Sequence, residues 1–407
     1  HEQSLAIARE IGNRYGEGNS LGNLGNCYSS LGDYRRAIDY HEQSLAIKRE
    51  IGNRSGEGAS LGNLGLCYYS LGDYRRAIDY HEQSLAIKRE IGNCYGEGAS
   101  LGNLGNCYYS LGDYRHAIDY HEQYLAITHE IGNRLGEGNA LGSLGLCYYS
   151  LGDYRCAIDY HEQSLAITHE IGNRHAEGAV LANLGDCYDS LGDYRRAIDY
   201  YEQSLAIARE IGSRYVEGND LVCIGNLYAD SREFIQACDC YREAIGLAGE
   251  TGNRQNQHEA RFGLAEANLL SGDLAAAHTA IDAAREYDYP QNNAAAWTMA
   301  GIVRLRQGEP DAAREAFSQG LTVAEGLLEL SDQNLSALET KALALCGLAL
   351  CGNTRRLTAA SQSFRTARQI TTAKGVVTRL LNRFDALAIA DADGILAPVQ
   401  EVAAGRG

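Results

Sequence analysis

The chain has 407 residues, a formal net charge of −17, twelve cysteines, 46 glycines and 3 prolines. With four lysines (Lys48, Lys88, Lys341, Lys374) and acidity that reaches −4 in each of the blocks 161–200 and 201–240, it is poorly suited to bind a nucleic-acid backbone, which needs clustered Lys and Arg. It has no eighteen-residue apolar run and no charged-then-apolar leader, so neither membrane insertion nor secretion is supported and a cytoplasmic location is expected. The block 361–407 is the exception in charge, at +2.

The dominant signal is repetition. Gly32-Asp33-Tyr34 returns every forty residues through Gly192-Asp193-Tyr194, and residues 41–80 and 81–120 differ at four positions. Such a chain is an elongated stack of equal units, which builds a continuous groove more readily than a single catalytic centre. The first residue, His1, falls in the middle of a unit, so a fragment of a longer polypeptide is expected.

In the unit 16–55, Leu21, Leu24, Gly25 and Tyr28 share one helical stripe. Gly32 stops this helix A and Asp33 is placed to cap the next. Helix B buries Ala37, Ile38, His41, Ser44 and Leu45 and runs to about Ile51, where Gly52 and Asn53 stop it. Two antiparallel helices per forty residues follow, and the fold class is all-α, a right-handed α-solenoid of helix-turn-helix repeats. The expected organisation is six near-regular units over 1–240, divergent helix pairs over 241–360, and capping helices with a tail over 361–407, including a helix near 374–390.

Leu21-x-x-Leu24-Gly25-x-x-Tyr28 followed by Ala37-x-x-x-His41 resembles the tetratricopeptide repeat signature, with Leu for its frequent Trp and His for an aromatic. The likeness weakens through Leu264-Ala265, Ala277, Trp297-x-x-Ala300-Gly301, Ala313 and Phe317, and its register is lost from about residue 321. The forty-residue form, with its Leu-Gly-Asn and Ile-Gly-Asn-Arg wording, is similar to the repeats of the Partner of Inscuteable family and of bacterial signalling proteins that join such arrays to a nucleotide-binding switch domain. That resemblance implies a concave surface that binds a peptide or partner protein, no catalysis and no cofactor; the alternative is the sensor arm of a nucleotide-dependent signalling or transcription-regulatory protein.

On helix A, Asn19, Gly22, Asn23, Asn26, Ser29 and Ser30 lie opposite the apolar stripe. The copies vary there: Asn26, Leu66, Asn106, Leu146, Asp186 and Asn226 at one position, and Ser29, Tyr69, Tyr109, Tyr149 and Asp189 at another. Asn23, Asn63, Asn103 and Asn183 recur, and an amide ladder of donors and acceptors suits an extended peptide backbone. Drift of solvent-facing positions and local bracing by Asn explain the same pattern without a ligand. Asp186, Asp189, Asp220 and Asp230 concentrate negative charge at the end of this face, so a basic or amphipathic partner segment is expected there. Gly25 should permit close helix packing, and Gly22 should leave the groove floor open.

Other motifs read as structure. The repeated His1, His41, His81, His121 and His161 lie a repeat apart, too far to share a metal with bonds of about 2 Å, and are expected to be packed. Gly16-x-Gly18-x-x-x-Gly22 is expected to begin a helix rather than hold a dinucleotide. The cysteines, including the equivalent Cys27, Cys67, Cys107, Cys147 and Cys187 and the pairs Cys238/Cys240 and Cys346/Cys351, are expected to be reduced buried thiols. Asp391-Ala392-Asp393-Gly394 lacks the later Glu of a calcium loop and is expected to be a turn.

Overall fold

The computed structural model describes residues 1–287, 290–372 and 374–405. Two compact units, His1–Val180 and Leu181–Gly407, divide the chain. Unit 1 contains α1 (Glu2–Glu10), α2 (Arg14–Ser30), α3 (Tyr34–Glu50), α4 (Arg54–Ser70), α5 (Tyr74–Glu90), α6 (Cys94–Ser110), α7 (Tyr114–Glu130), α8 (Arg134–Ser150) and α9 (Tyr154–Glu170). The division falls within α10 (Arg174–Leu191). Unit 2 continues with α11 (Tyr194–Glu210), α12 (Arg214–Asp230), α13 (Phe234–Thr251), α14 (Arg254–Ser271), α15 (Leu274–Arg285), α16 (Pro290–Arg306) and α17 (Pro310–Leu330). It ends with α18 (Leu335–Leu350), a short 3-10 turn, α19 (Leu357–Ile370), α20 (Lys374–Ala388) and α21 (Ala397–Ala403). The described residues contain no strand, and consecutive helices pack as the antiparallel pairs of an α-solenoid.

Capping sets the boundaries. The Asn13, Asn53, Asn93 and Asn133 side chains accept hydrogen bonds from the backbone N–H three residues on, at the start of each helix A, while Asp33 and Asp73 do the same for helix B. Gly32 and Gly52 terminate the preceding helices at φ 78° and 68°, a left-handed conformation that glycine adopts without strain. The motif Gly16-x-Gly18-x-x-x-Gly22 accordingly lies in the first turns of α2.

Packing within a repeat depends on a glycine opposite a ring. A Cβ built on Gly25, Gly65, Gly105 or Gly145 would lie 2.5–2.6 Å from the ring of His41, His81, His121 or His161 respectively. These imidazoles are buried, and burial pushes each down to about 4. In unit 2 the ring becomes larger: Tyr201 packs on Gly185, Tyr241 sits between Gly225 and Gly263, and Phe317 between Gly301 and Gly347. Phe317, Phe364 and Phe384 then anchor one apolar core that extends from α14 to α21.

Within a repeat of unit 1, Ser44 Oγ donates to the Gly18 carbonyl at 2.8 Å and Ser84 Oγ to that of Gly58 at 2.8 Å, and ion pairs join one repeat to the next. Glu57 pairs with both Arg49 (2.8 Å) and Arg54 (2.5 Å), and Arg54 in turn reaches Glu90. Three expectations need correction. Gly22 is buried with its Cβ position 3.3 Å from Ser44 Oγ, so it faces helix B of its own repeat and not the groove floor. Cys27 and Cys94 are exposed, and Cys156, Cys223, Cys240 and Cys351 are half-buried, so these six are not the buried thiols expected. Asp220 is 3% exposed and takes the buried position that Ser20, Ser60 and Ser100 hold in other repeats, so it does not line the inner face.

Candidate protein-interaction surface

In unit 1 the face of helix A opposite its apolar stripe, expected to line a groove, carries Asn23 and Asn26 exposed on α2, with Asn63 and Asn103 half-buried on α4 and α6. Asn63 Nδ2 donates to Asn26 Oδ1 at 3.1 Å, so part of the amide ladder is joined across repeats. Tyr69 and Tyr109 are also braced: their hydroxyls pair with Ser110 and Ser150 on the next helix A at 3.0 and 3.1 Å. The rings of Tyr69, Tyr109 and Tyr149 each lie 5.4 Å from Tyr74, Tyr114 and Tyr154. Such rings are fixed platforms with little left to lose in entropy when something packs on them. On the same helices Leu66 and Leu146 remain 45% and 36% exposed, and Asn106 is exposed at the equivalent position.

Unit 2 handles the same positions differently. Tyr201 Oη donates to Asp186 Oδ1, and Tyr241 Oη donates to Asn226 Oδ1 at 2.7 Å. Helix B there carries Tyr where unit 1 carries His, and the added hydroxyl reaches the position whose unit 1 counterparts, Asn26, Leu66, Asn106 and Leu146, are exposed. Asp186 and Asn226 are thereby tied into the packing, and burial pushes the Asp186 carboxyl up, an effect Tyr201 opposes. Asn183 is half-buried on the same helix.

Asp189 and Asp230 meet a basic segment of the chain itself. The Arg379 guanidinium on α20 pairs with Asp189 and, through Nε at 2.8 Å, with Asp230. One turn on, Arg383 makes a two-point contact with Glu266 of α14, at 2.7 and 2.9 Å, its guanidinium 5.2 Å from the Phe262 ring. α20 packs against α12, α14, α16 and α18, the first helices of four successive pairs. Burial pushes Asp230 up to about 6 against the pull of Arg379; burial also disfavours the Arg379 cation, but the carboxylates of Asp189 and Asp230 outweigh it and hold the guanidinium charged. A cavity of about 240 Å³ remains beside these ion pairs, lined by Asn226, Asp230, Tyr241, Phe262, Glu266, Arg379 and Arg383 among others.

Arg379, Arg383 and Glu266 were not among the residues that inner-face periodicity singles out. Their signal was weaker: an Arg pair at four-residue spacing beside the apolar stripe Leu380, Phe384 and Leu387, in the net positive block 361–407. Among the described residues no group of three or more His, Cys, Asp or Glu side chains is placed to hold a metal ion. Asp391 accepts from the Ile395 and Leu396 N–H groups at 3.0 and 2.7 Å, which makes its segment a capped turn. No described helix is long and apolar enough to cross a membrane.

Two models described as Tetratricopeptide repeat match the chain, one over residues 1–50, 56–130 and 131–210 and the other over 271–326. Since these cover more than half of it, the chain belongs to the tetratricopeptide repeat family. No curated protein sequence matches it significantly. Among solved structures, it resembles a Signal Transduction ATPase with Numerous Domains (STAND) protein with a tetratricopeptide repeat sensor from Pyrococcus horikoshii, at TM-score 0.61 and 16% identity over 77% of this chain and 48% of that one. Aspartyl phosphate phosphatase F from Bacillus subtilis matches at TM-score 0.53 and 15% identity, over 70% of this chain and 75% of that one. BtubC (BKLC) from P. vanneervenii matches at TM-score 0.50 and 19% identity, over 54% and 92%. At such identities the likeness concerns the fold.

Proposed function

We propose that the chain is a non-catalytic scaffold that binds a peptide or partner protein on its inner helices. The observation that carries this reading is the inner face of unit 1, where the exposed apolar Leu66 and Leu146 accompany braced tyrosines and an amide ladder. Asn23, Asn26, Asn63, Asn103 and Asn106 supply backbone hydrogen bonds, and Leu66, Tyr69, Tyr109, Leu146 and Tyr149 supply apolar contact. Asn183, Asp186, Asp189, Asn226 and Asp230 belong to the acidic end, which favours a basic or amphipathic segment. The protein works in the cytoplasm, without nucleic acid or membrane as partner.

The test is selection of binding peptides from a random display library on the full chain, followed by calorimetry with Leu66→Glu/Leu146→Glu. Both side chains are exposed, so the variant keeps its fold. A loss of about tenfold or more in affinity is expected for central apolar anchors. Selected peptides that bind both proteins equally would refute the assignment. A second reading, the sensor arm of a nucleotide-dependent signalling protein, draws on the fold shared with the Pyrococcus horikoshii protein over 77% of this chain. It requires a nucleotide-binding domain in the parent reading frame, and a complete frame without one removes it.

A further inference from the structure

Gly375, Arg379 and Arg383 recur at four-residue intervals, so one stripe of α20 presents all three. A Cβ on Gly375 would lie 3.0 Å from the Asp189 carbonyl oxygen, hence the glycine lets the helix backbone come down on the end of α10. Arg379 then bridges Asp189 and Asp230, and Arg383 engages Glu266. The neighbouring stripe, Leu380, Phe384 and Leu387, is buried, with Phe384 6.0 Å from Phe364 of α19. An amphipathic helix is thus read on one side by charge and held on the other by apolar contact.

The fit is incomplete in two respects. The cavity of about 240 Å³ beside Tyr241 and Phe262 stays unfilled by α20, and Asp189 Oδ1 is buried without a hydrogen-bond partner. Charge complementarity is otherwise strong, since the helix comes from the net positive block and Asp189 and Asp230 from the two most acidic ones, 161–200 and 201–240. We propose that the inner face of α12 and α14, with the end of α10, is a docking site for an amphipathic helix of pattern small-x-x-x-Arg-x-x-x-Arg. α20 is its occupant in cis, and a partner protein that presents the same pattern, with a side chain to fill the cavity, takes the place of α20. This rests on the scaffold reading, but its test addresses unit 2 alone, so failure here leaves the unit 1 surface standing.

The probe is a fluorescein-labelled peptide of residues 374–390, titrated by anisotropy into the full chain and into its Arg379→Ala/Arg383→Ala variant. A tethered occupant competes at an effective concentration in the millimolar range, so weakening it should tighten peptide binding by about tenfold or more. Raised salt should weaken binding, and a peptide with both arginines replaced by alanine should not bind. A variant that melts like the wild type yet leaves the peptide unbound overturns the proposal, as does binding indifferent to the peptide arginines. Should the variant fail to fold, hydrogen exchange on the isotope-labelled wild type decides: excess unlabelled peptide must speed exchange in the chain's own α20, and unchanged protection refutes displacement.

Discussion

Gly62 and Gly65 lie one turn apart in α4, and each costs about 1 kcal/mol of helix propensity relative to alanine. Their surroundings differ. A Cβ on Gly62 would meet Ser84 Oγ at 3.4 Å, an ordinary contact, whereas a Cβ on Gly65 would fall 2.6 Å from Cε1 and Nε2 of the His81 ring. That ring is rigid and 1% exposed, so it cannot swing into solvent. Overpacking of this kind costs about 1–3 kcal/mol. Gly62→Ala should therefore stabilise by roughly the propensity gain of about 1 kcal/mol, and Gly65→Ala, whose overpacking offsets that gain, should destabilise by a net amount of up to about 2 kcal/mol.

In a His81→Ala background the clash is absent and Gly65→Ala should become stabilising, which gives a coupling within the range of about 0.5–3 kcal/mol found for contacting residues. Because an array of repeats unfolds as coupled neighbours, the suitable assay is native-state hydrogen exchange of the α4 and α5 amides, with urea melts as support. If Gly65→Ala and Gly62→Ala shift local stability in the same direction, the ring contact does not explain the glycine, and duplication of an ancestral residue does.

Below their ordinary value near 6.5, His41, His81, His121 and His161 should destabilise the native state: depressed to about 4 when folded, they stay neutral while the unfolded chain takes up protons. Stability should be full above pH 6.5 and fall at lower pH until about 4, by about 1.4 kcal/mol per pH unit for each histidine fully in that window, as urea midpoints across that range will check. Asp220 has the opposite sign: burial pushes it up to about 7, so its ionisation costs stability as pH rises from the unfolded value near 4 to 7. Asp220→Ser, the residue of equivalent positions, should stabilise by about 1–3 kcal/mol at pH 8 and by less at pH 5 in thermal melts. With Ellman's reagent, Cys27 and Cys94 should react first, since both are exposed, while burial pushes Cys107, Cys147, Cys187 and Cys346 up to about 12 and should leave them slow.

The repeat architecture was legible because each of its determinants is local. Asn53 and Asp73 cap a helix three residues away, Gly32 and Gly52 end the one before, and Ala37, Ile38, His41, Ser44 and Leu45 reach the core by helical spacing alone. A helical wheel also places Asn26 and Asp186 on the same inner face. It does not tell them apart, because the difference lies on another helix: His41 makes no hydrogen bond to Asn26, whereas Tyr201 extends a hydroxyl to Asp186. The substitution of Tyr for His at that register was the available signal, and a reading of helix A by itself passes over it.

The occupant of the acidic end lay further from view. Arg379 and Asp189 are separated by 190 residues, and no periodicity relates a helix to a partner that far away. What sequence does hold is complementarity of composition, the positive block 361–407 against the acidic blocks 161–240, together with an Arg pair at helical spacing. A basic segment in the same chain as an acidic groove is at a far higher effective concentration than any separate partner, so the chain's own helix is the first ligand to consider. The expected basic or amphipathic partner segment therefore has to be judged against α20: a partner at that end must outcompete a helix already seated there, whereas unit 1 offers Leu66 and Leu146 exposed.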